Sequence, residues 1–175
     1  MAQDKGPDGA GHGRTPTVDQ APVTKRGEWH PALRRYLAVT ALGDLAWEFA
    51  HMPLYSIWRK GTAVDIVFAA VHCTGGDIII ALCSLTIALL AVGSGEWPAA
   101  RFRAVAALTV IMGIAYTTFS EYLNIVVRAA WAYSDLMPVL TISGFQVGLS
   151  PLLQWVVVPL VASAWAAQAR AQPIR

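Results

Sequence analysis

Asp44-Leu45-Ala46-Trp47-Glu48-Phe49-Ala50-His51-Met52-Pro53-Leu54-Tyr55-Ser56-Ile57-Trp58 is the stretch on which the fold turns. It lies in the first long apolar segment of the chain, where ionisable side chains are costly. Advancing 100° per residue places Asp44, Glu48, His51, Tyr55 and Trp58 within a stripe about 80° wide. Such a stripe on a membrane helix faces a bundle interior or a wet cavity, because lipid cannot solvate it.

The rest of the composition agrees. Of 175 residues, 55% are hydrophobic and 14% are charged, well short of the quarter that is usual in soluble domains. Mean hydropathy is +0.48. No basic patch is interleaved with aromatics, which argues against a nucleic-acid partner. Cys73 and Cys83 fall in one expected helix, about 15 Å apart along its axis, and so cannot bridge each other.

Working outward, residues 1–27 read as a disordered cytoplasmic tail without apolar periodicity, and no apolar run near the start suggests a signal peptide. Residues 28–35, with Trp29, His30, Arg34 and Arg35, read as a basic interfacial segment. Residues 36–168 then form a single transmembrane domain, an all-α four-helix bundle with helices over about 36–58, 63–93, 102–127 and 150–168, each long enough for a hydrocarbon core of about 30 Å. Residues 169–175 form a short cytoplasmic tail. Gly75-Gly76 is the expected place for the second helix to bend. Pro138, Gly144 and Gly148 interrupt the run before the last helix, so residues 129–149 are expected to be an interfacial or re-entrant cap.

Loop charges set the orientation. Lys25, Arg26, Arg34, Arg35, Arg101, Arg103, Arg170 and Arg175 fall on one side, against only Arg59, Lys60 and Arg128 on the other. The positive-inside rule therefore predicts a multi-pass protein of the inner (cytoplasmic) membrane with both termini in the cytoplasm.

With that orientation, polar residues of all four helices gather at one end. Glu48 and His51 on the first helix are joined by His72 and Asp77 on the second. The third helix brings Glu121 and Asn124, and the fourth brings Gln154 and Trp155. The opposite halves, such as Ile80–Leu90 and Val105–Ile114, are nearly free of polar side chains. Carboxylates outnumber cations at depth, so a proton, a metal or a cationic ligand must neutralise them.

These residues suggest a chemistry. Glu48, His51, His72, Asp77 and Glu121 are the candidate catalytic groups for proton transfer. Asp44, Tyr55, Asn124, Tyr133, Gln154 and Trp155 are the candidate substrate-binding groups. Glu48-x-x-His51 has the spacing that metal-binding bundles use, so a divalent transition metal, if one binds, would be held by Glu48, His51, His72 and Glu121. Against this, Glu121-x-x-Asn124 puts Asn where a second His is wanted. The competing structural reading is plain interhelical hydrogen bonding, for example Glu48 to Gln154. Trp47, Trp131, Trp155 and Tyr133 have interface anchoring as their default role.

In layout the chain resembles small polytopic membrane isomerases and cyclases that act on sterols, carotenoids or other isoprenoids, over Asp44–Trp58 and Glu121–Trp155, with no motif shared residue by residue. The resemblance implies a membrane enzyme that isomerises or cyclises an apolar lipid or isoprenoid by acid–base chemistry. The alternative is a non-enzymatic metal- or ligand-binding membrane subunit. Expected partners are the lipid bilayer, an apolar small molecule, and further copies in a homo-oligomer or a larger membrane complex.

Overall fold

The computed structural model describes residues 29–168; the expected tails at 1–27 and 169–175 lie outside the described residues. Helix α1 runs Trp29–His51 and is followed by a 3-10 turn, Met52–Leu54, and the single-turn α2, Ile57–Lys60. Helix α3 spans Ala63–Val92 and α4 spans Phe102–Glu121, continued by a π-helical turn over Tyr122–Val127. Strands β1 (Val139–Ile142) and β2 (Phe145–Gly148) lead directly into α5, Leu149–Ala167.

Three helical stretches are long and apolar enough to cross a membrane: Ala63–Val92, Phe102–Val127 and Leu149–Ala167. They match the expected second, third and fourth spans to within a residue or two. The expected first span does not join them on that measure. Its helix begins at Trp29, so residues 29–35 form the first turns of α1. It ends at His51, because Pro53 cannot donate the next helical hydrogen bond and takes up the start of a tighter turn. The stripe therefore breaks up after His51, and Trp58 is exposed.

Around the bundle α1 packs on α3 and α5, and α4 packs on the same two helices. The buried face of α1 consists of Ala32, Tyr36, Thr40, Asp44, Glu48 and His51, at spacings of one helical turn. The polar stripe is thus the packing face, which explains how a helix with so many charges can sit inside. At the other end of the bundle the core is small and apolar. Ala81, Leu85 and Ala88 of α3 meet Val105 of α4, Ala162 and Ala166 of α5, and Trp97 of the α3–α4 connection. At Gly113 a side chain packs directly on the backbone: an added Cβ would run into the indole ring of Trp155. Glycine is required there for that ring to lie against α4.

Two expectations meet a different outcome, the all-α fold and the bend in the second helix. Residues 139–148 form a two-stranded antiparallel hairpin, with Val139 paired to Gly148 and Ile142 to Phe145. Its turn residues Ser143 and Gly144 have φ values of 49° and 88°, the geometry of a two-residue type I′ connection. The cap is therefore a β-hairpin, and nothing in it re-enters the bundle as helix. Second, α3 is continuous through Gly75-Gly76, and an added Cβ at either glycine would meet nothing within 4 Å. The helix runs unbroken past the glycine pair, and nothing packs closely against either glycine.

A candidate acid–base pocket

Three polar groups assemble at the hairpin end of the bundle. The first is centred on His51, the last residue of α1. Its Nε2 lies 3.1 Å from Glu48 Oε2 and its Nδ1 lies 3.2 Å from Ser150 Oγ. Trp47 Nε1 donates to the same Ser150 oxygen at 3.2 Å. An indole N–H can only donate, so the Ser150 hydroxyl is free to donate to Nδ1, and Nε2–H then donates to Glu48. Each group in that line is satisfied, and the line ends on a carboxylate.

The second group ties three helices together. Gln154 Nε2, on α5, donates to Asp44 Oδ1 of α1 at 3.1 Å and to Asp77 Oδ2 of α3 at 3.0 Å. A side-chain amide has two such protons, so both are used, one on each carboxylate. Glu48, the partner expected for Gln154, is not the one it takes; Asp44 and Asp77 fill that place because the amide lies one turn further from the hairpin.

The third group lies across the pocket. Tyr133 donates its hydroxyl proton to Glu121 Oε2, and the tyrosine oxygen in turn accepts from Gly148 N–H at 2.6 Å. Burial pushes the Tyr133 hydroxyl well above its ordinary value, and the hydrogen bond to Glu121 adds to the effect, so it stays a proton donor at neutral pH. Tyr133 is held in place by backbone: Ser134 N donates to Leu54 O at 2.8 Å, and Ser56 N donates to Ala132 O at 2.9 Å. The π-helical turn next to Glu121 widens the end of α4, with Arg128 N donating to Leu123 O at 2.8 Å. Such turns often sit at functional sites because they re-aim the side chains around them. Here Asn124 is buried at the turn, and Arg128 reaches back to its Oδ1 at 3.4 Å.

These groups surround a cavity of about 720 Å³, within the range of small-molecule sites. Glu48, His51, Tyr55, His72, Asp77, Glu121, Asn124, Gln154 and Trp155 all line it. Asp44 and Tyr133 do not; they sit behind the wall, one hydrogen bond from Gln154 and Glu121 respectively. His72 is on the exposed rim, stacked on Phe68 with ring centroids 5.6 Å apart. It shares the cavity with Asp77 without any helix break, because the cavity wraps a wide face of α3. Trp155 is 3% exposed, a buried wall residue where an interface anchor was the default. Trp131 Nε1 is buried without a partner, and that residue also lines the cavity.

Sequence reasoning does not find Ser150 or Trp47 as site residues. Ser150 reads as a helix start, and only the packing of α5 on α1 brings it to His51. The metal reading finds no donor set: among the described residues no three His, Cys, Asp or Glu side chains come together as a group that could hold an ion. Cys73 and Cys83 are unbridged, as their spacing requires. Comparison with protein-family models, with curated proteins and with solved structures finds no match to this chain. The chain has the make-up of a multi-pass membrane protein: several apolar helices long enough to cross a membrane, with a few polar and charged side chains buried among them.

Proposed function

We propose that this cavity is the active site of a membrane enzyme that moves protons on an apolar lipid or isoprenoid substrate, in an isomerisation or cyclisation. The observation that carries the reading is the pairing of two buried carboxylates on one cavity, each backed by its own hydrogen-bond partner, Glu48 by His51 and Glu121 by Tyr133. A double-bond shift needs one group to deliver a proton to an alkene carbon and another to remove one from a neighbouring carbon. Glu121 delivers and Glu48 accepts. His51, with Ser150 and Trp47 behind it, stabilises the negative charge on Glu48 before the step. Asp77, held by Gln154, lines the wall beside the carbon that becomes cationic, and the aromatic walls of Tyr55 and Trp155 support that charge from their π-faces. Asn124 orients the substrate, and His72 guards the rim. One proton is gained and one lost, so no oxidant or reductant is required.

The test does not require the substrate to be identified first. Purified protein is incubated in D2O with an extract of membrane lipids, and the lipids are compared by mass spectrometry. The proposal expects at least one apolar species to gain deuterium at carbon. A lipid that co-purifies and never gains deuterium would instead favour the binding-subunit alternative.

We also assign both termini to the cytoplasmic face of the inner membrane and α1 as a fourth span, from the asymmetry of loop charges. This puts the pocket and hairpin at the extracytoplasmic end. A reporter fused after Arg175 should then be active only in the cytoplasm; activity outside the inner membrane would reverse the orientation.

A further inference from the structure

Gly75-Gly76 stands in the middle of a membrane-length helix, and the hydrogen-bonded groups of the pocket leave it unexplained. Gly76 lines the cavity and Gly75 does not. With 100° per residue, the cavity-facing positions of α3 cover about half its circumference, with Gly76 near the centre of that face and Gly75 beyond its edge. The face extends from Asp65 to Ile80, about 22 Å along the helix axis. At Gly76 the wall is bare backbone, and a Cβ there would project into open space.

The cavity is also open sideways. Phe68 of α3 is 68% exposed and Tyr116 of α4 is 47% exposed, yet both line it. Both lie inside helices of membrane-spanning length, so the surface around them faces lipid. The same outer surface carries Val64, Val71 and Ile79 on α3 and Ile111 and Phe119 on α4, all exposed and apolar. The cavity lining at Phe68 and Tyr116 is therefore continuous with the exposed apolar surface of α3 and α4. Toward the other end of the bundle α3 and α4 meet at Leu85 and Val105, which closes the slot.

We infer that a lipid enters the cavity laterally between α3 and α4, and that its acyl or isoprenyl chain lies along α3 over Gly76. The missing side chain at Gly76 sets the space available to the chain. This rests on the reading of the cavity as a site for an apolar molecule, but not on any chemistry taking place there. Asp77 and Glu121 stand on α3 and α4 themselves, with Glu48 of α1 and Gln154 of α5 across the cavity, so a chain arriving past Phe68 and Tyr116 meets polar groups at its interior end.

The experiment uses the full chain in phosphatidylcholine vesicles, a fraction of whose lipid carries an alkyl diazirine on one acyl chain. After photolysis, labelled residues are located by mass spectrometry. Wild-type protein should carry adducts inside the cavity, on Asp77, Glu121 or Cys73, in addition to those on outward residues such as Val64 and Val71. Gly76→Trp should lose the interior adducts and keep the outward ones. Gly75→Trp, with its side chain outside the cavity, should keep both. Adducts confined to outward residues in the wild type would overturn lateral entry, whether or not Gly76→Trp folds. Equal loss in both Trp variants would overturn the role of Gly76. Glu48→Gln should keep its interior adducts, so loss of deuterium transfer with labelling intact separates the chemistry from the entry route.

Discussion

The two ends of this bundle are built from the same helices and handle polar groups in opposite ways. At the apolar end, Thr109 on α4 and Thr86 on α3 donate their hydroxyls to the carbonyls of Val105 and Leu82, one turn back on the same helix. They make no demand on a neighbour. At the hairpin end the bonds cross between elements: Gln154 to Asp44 and Asp77, Ser150 to His51, Tyr133 to Glu121. The first arrangement leaves small side chains such as Ala81, Ala88 and Ala162 to set how closely the helices pack. The second holds the helices apart around a cavity and keeps titratable groups facing it. One end is closely packed, and the other is spread open around a cavity.

That contrast can be broken most severely where packing is tightest. Gly113→Ala puts a methyl where the Trp155 ring already lies, and Ala81→Leu forces a larger side chain into a fully buried position. Each should cost about 1–3 kcal/mol, the usual range for overpacking. A thermal melt in detergent should show both well below wild type, while Gly75→Leu melts with it. Equal melting of Ala81→Leu and Gly75→Leu would mean that the apolar end is loosely packed.

The polar crossings come next. Gln154→Leu removes both donors from the buried Asp44 and the half-buried Asp77, and stranded polar groups of that kind cost about 1–3 kcal/mol. Gln154→Asn, whose amide is a methylene shorter, should recover part of the stability. If Gln154→Leu melts like wild type, the two aspartates are satisfied elsewhere and the tie between α1, α3 and α5 is not structural.

Smaller still is Tyr133→Phe, which deletes one hydroxyl shared by Glu121 and Gly148. About 1 kcal/mol is expected, felt locally. Hydrogen exchange should quicken at the Gly148 amide and across the Phe145–Gly148 strand, with α3 unaffected. Uniform exchange changes along the chain would contradict that locality. Glu96→Gln, exposed in the α3–α4 connection, should change nothing.

Much of the scaffold is legible in the sequence. The three most apolar helices announce themselves by length and hydropathy, and the stripe Asp44, Glu48, His51 predicts which face of α1 is buried. Two parts are not legible. Pro53 ends α1 at His51, a local rule that the regular spacing continuing to Trp58 conceals. The hairpin is hidden by its hydrophobicity. Val139-Leu140-Thr141-Ile142 and Phe145-Gln146-Val147-Gly148 flank Ser143-Gly144, a pattern that marks a two-residue turn, but in a membrane chain an apolar run is first measured against the bilayer. The site is legible as a set of residue types at one depth. Its wiring is not, because Gln154 and Ser150 find partners only through the packing of α5 on α1, a contact more than ninety residues apart in the chain.

The central claim is that Glu48 and Glu121 are present for proton transfer and not for packing. Glu→Gln keeps shape and most hydrogen bonding while removing the titratable proton. The most direct measurement takes Glu48→Gln and Glu121→Gln, confirms that each melts close to wild type, and follows solvent deuterium transfer into the apolar substrate in the same preparations. A loss of about 100-fold or more in either single variant is predicted, the scale of general acid–base catalysis. Wild-type rates of deuterium transfer in both, with folding intact, would contradict the account and leave a bundle whose buried acids only hold helices together.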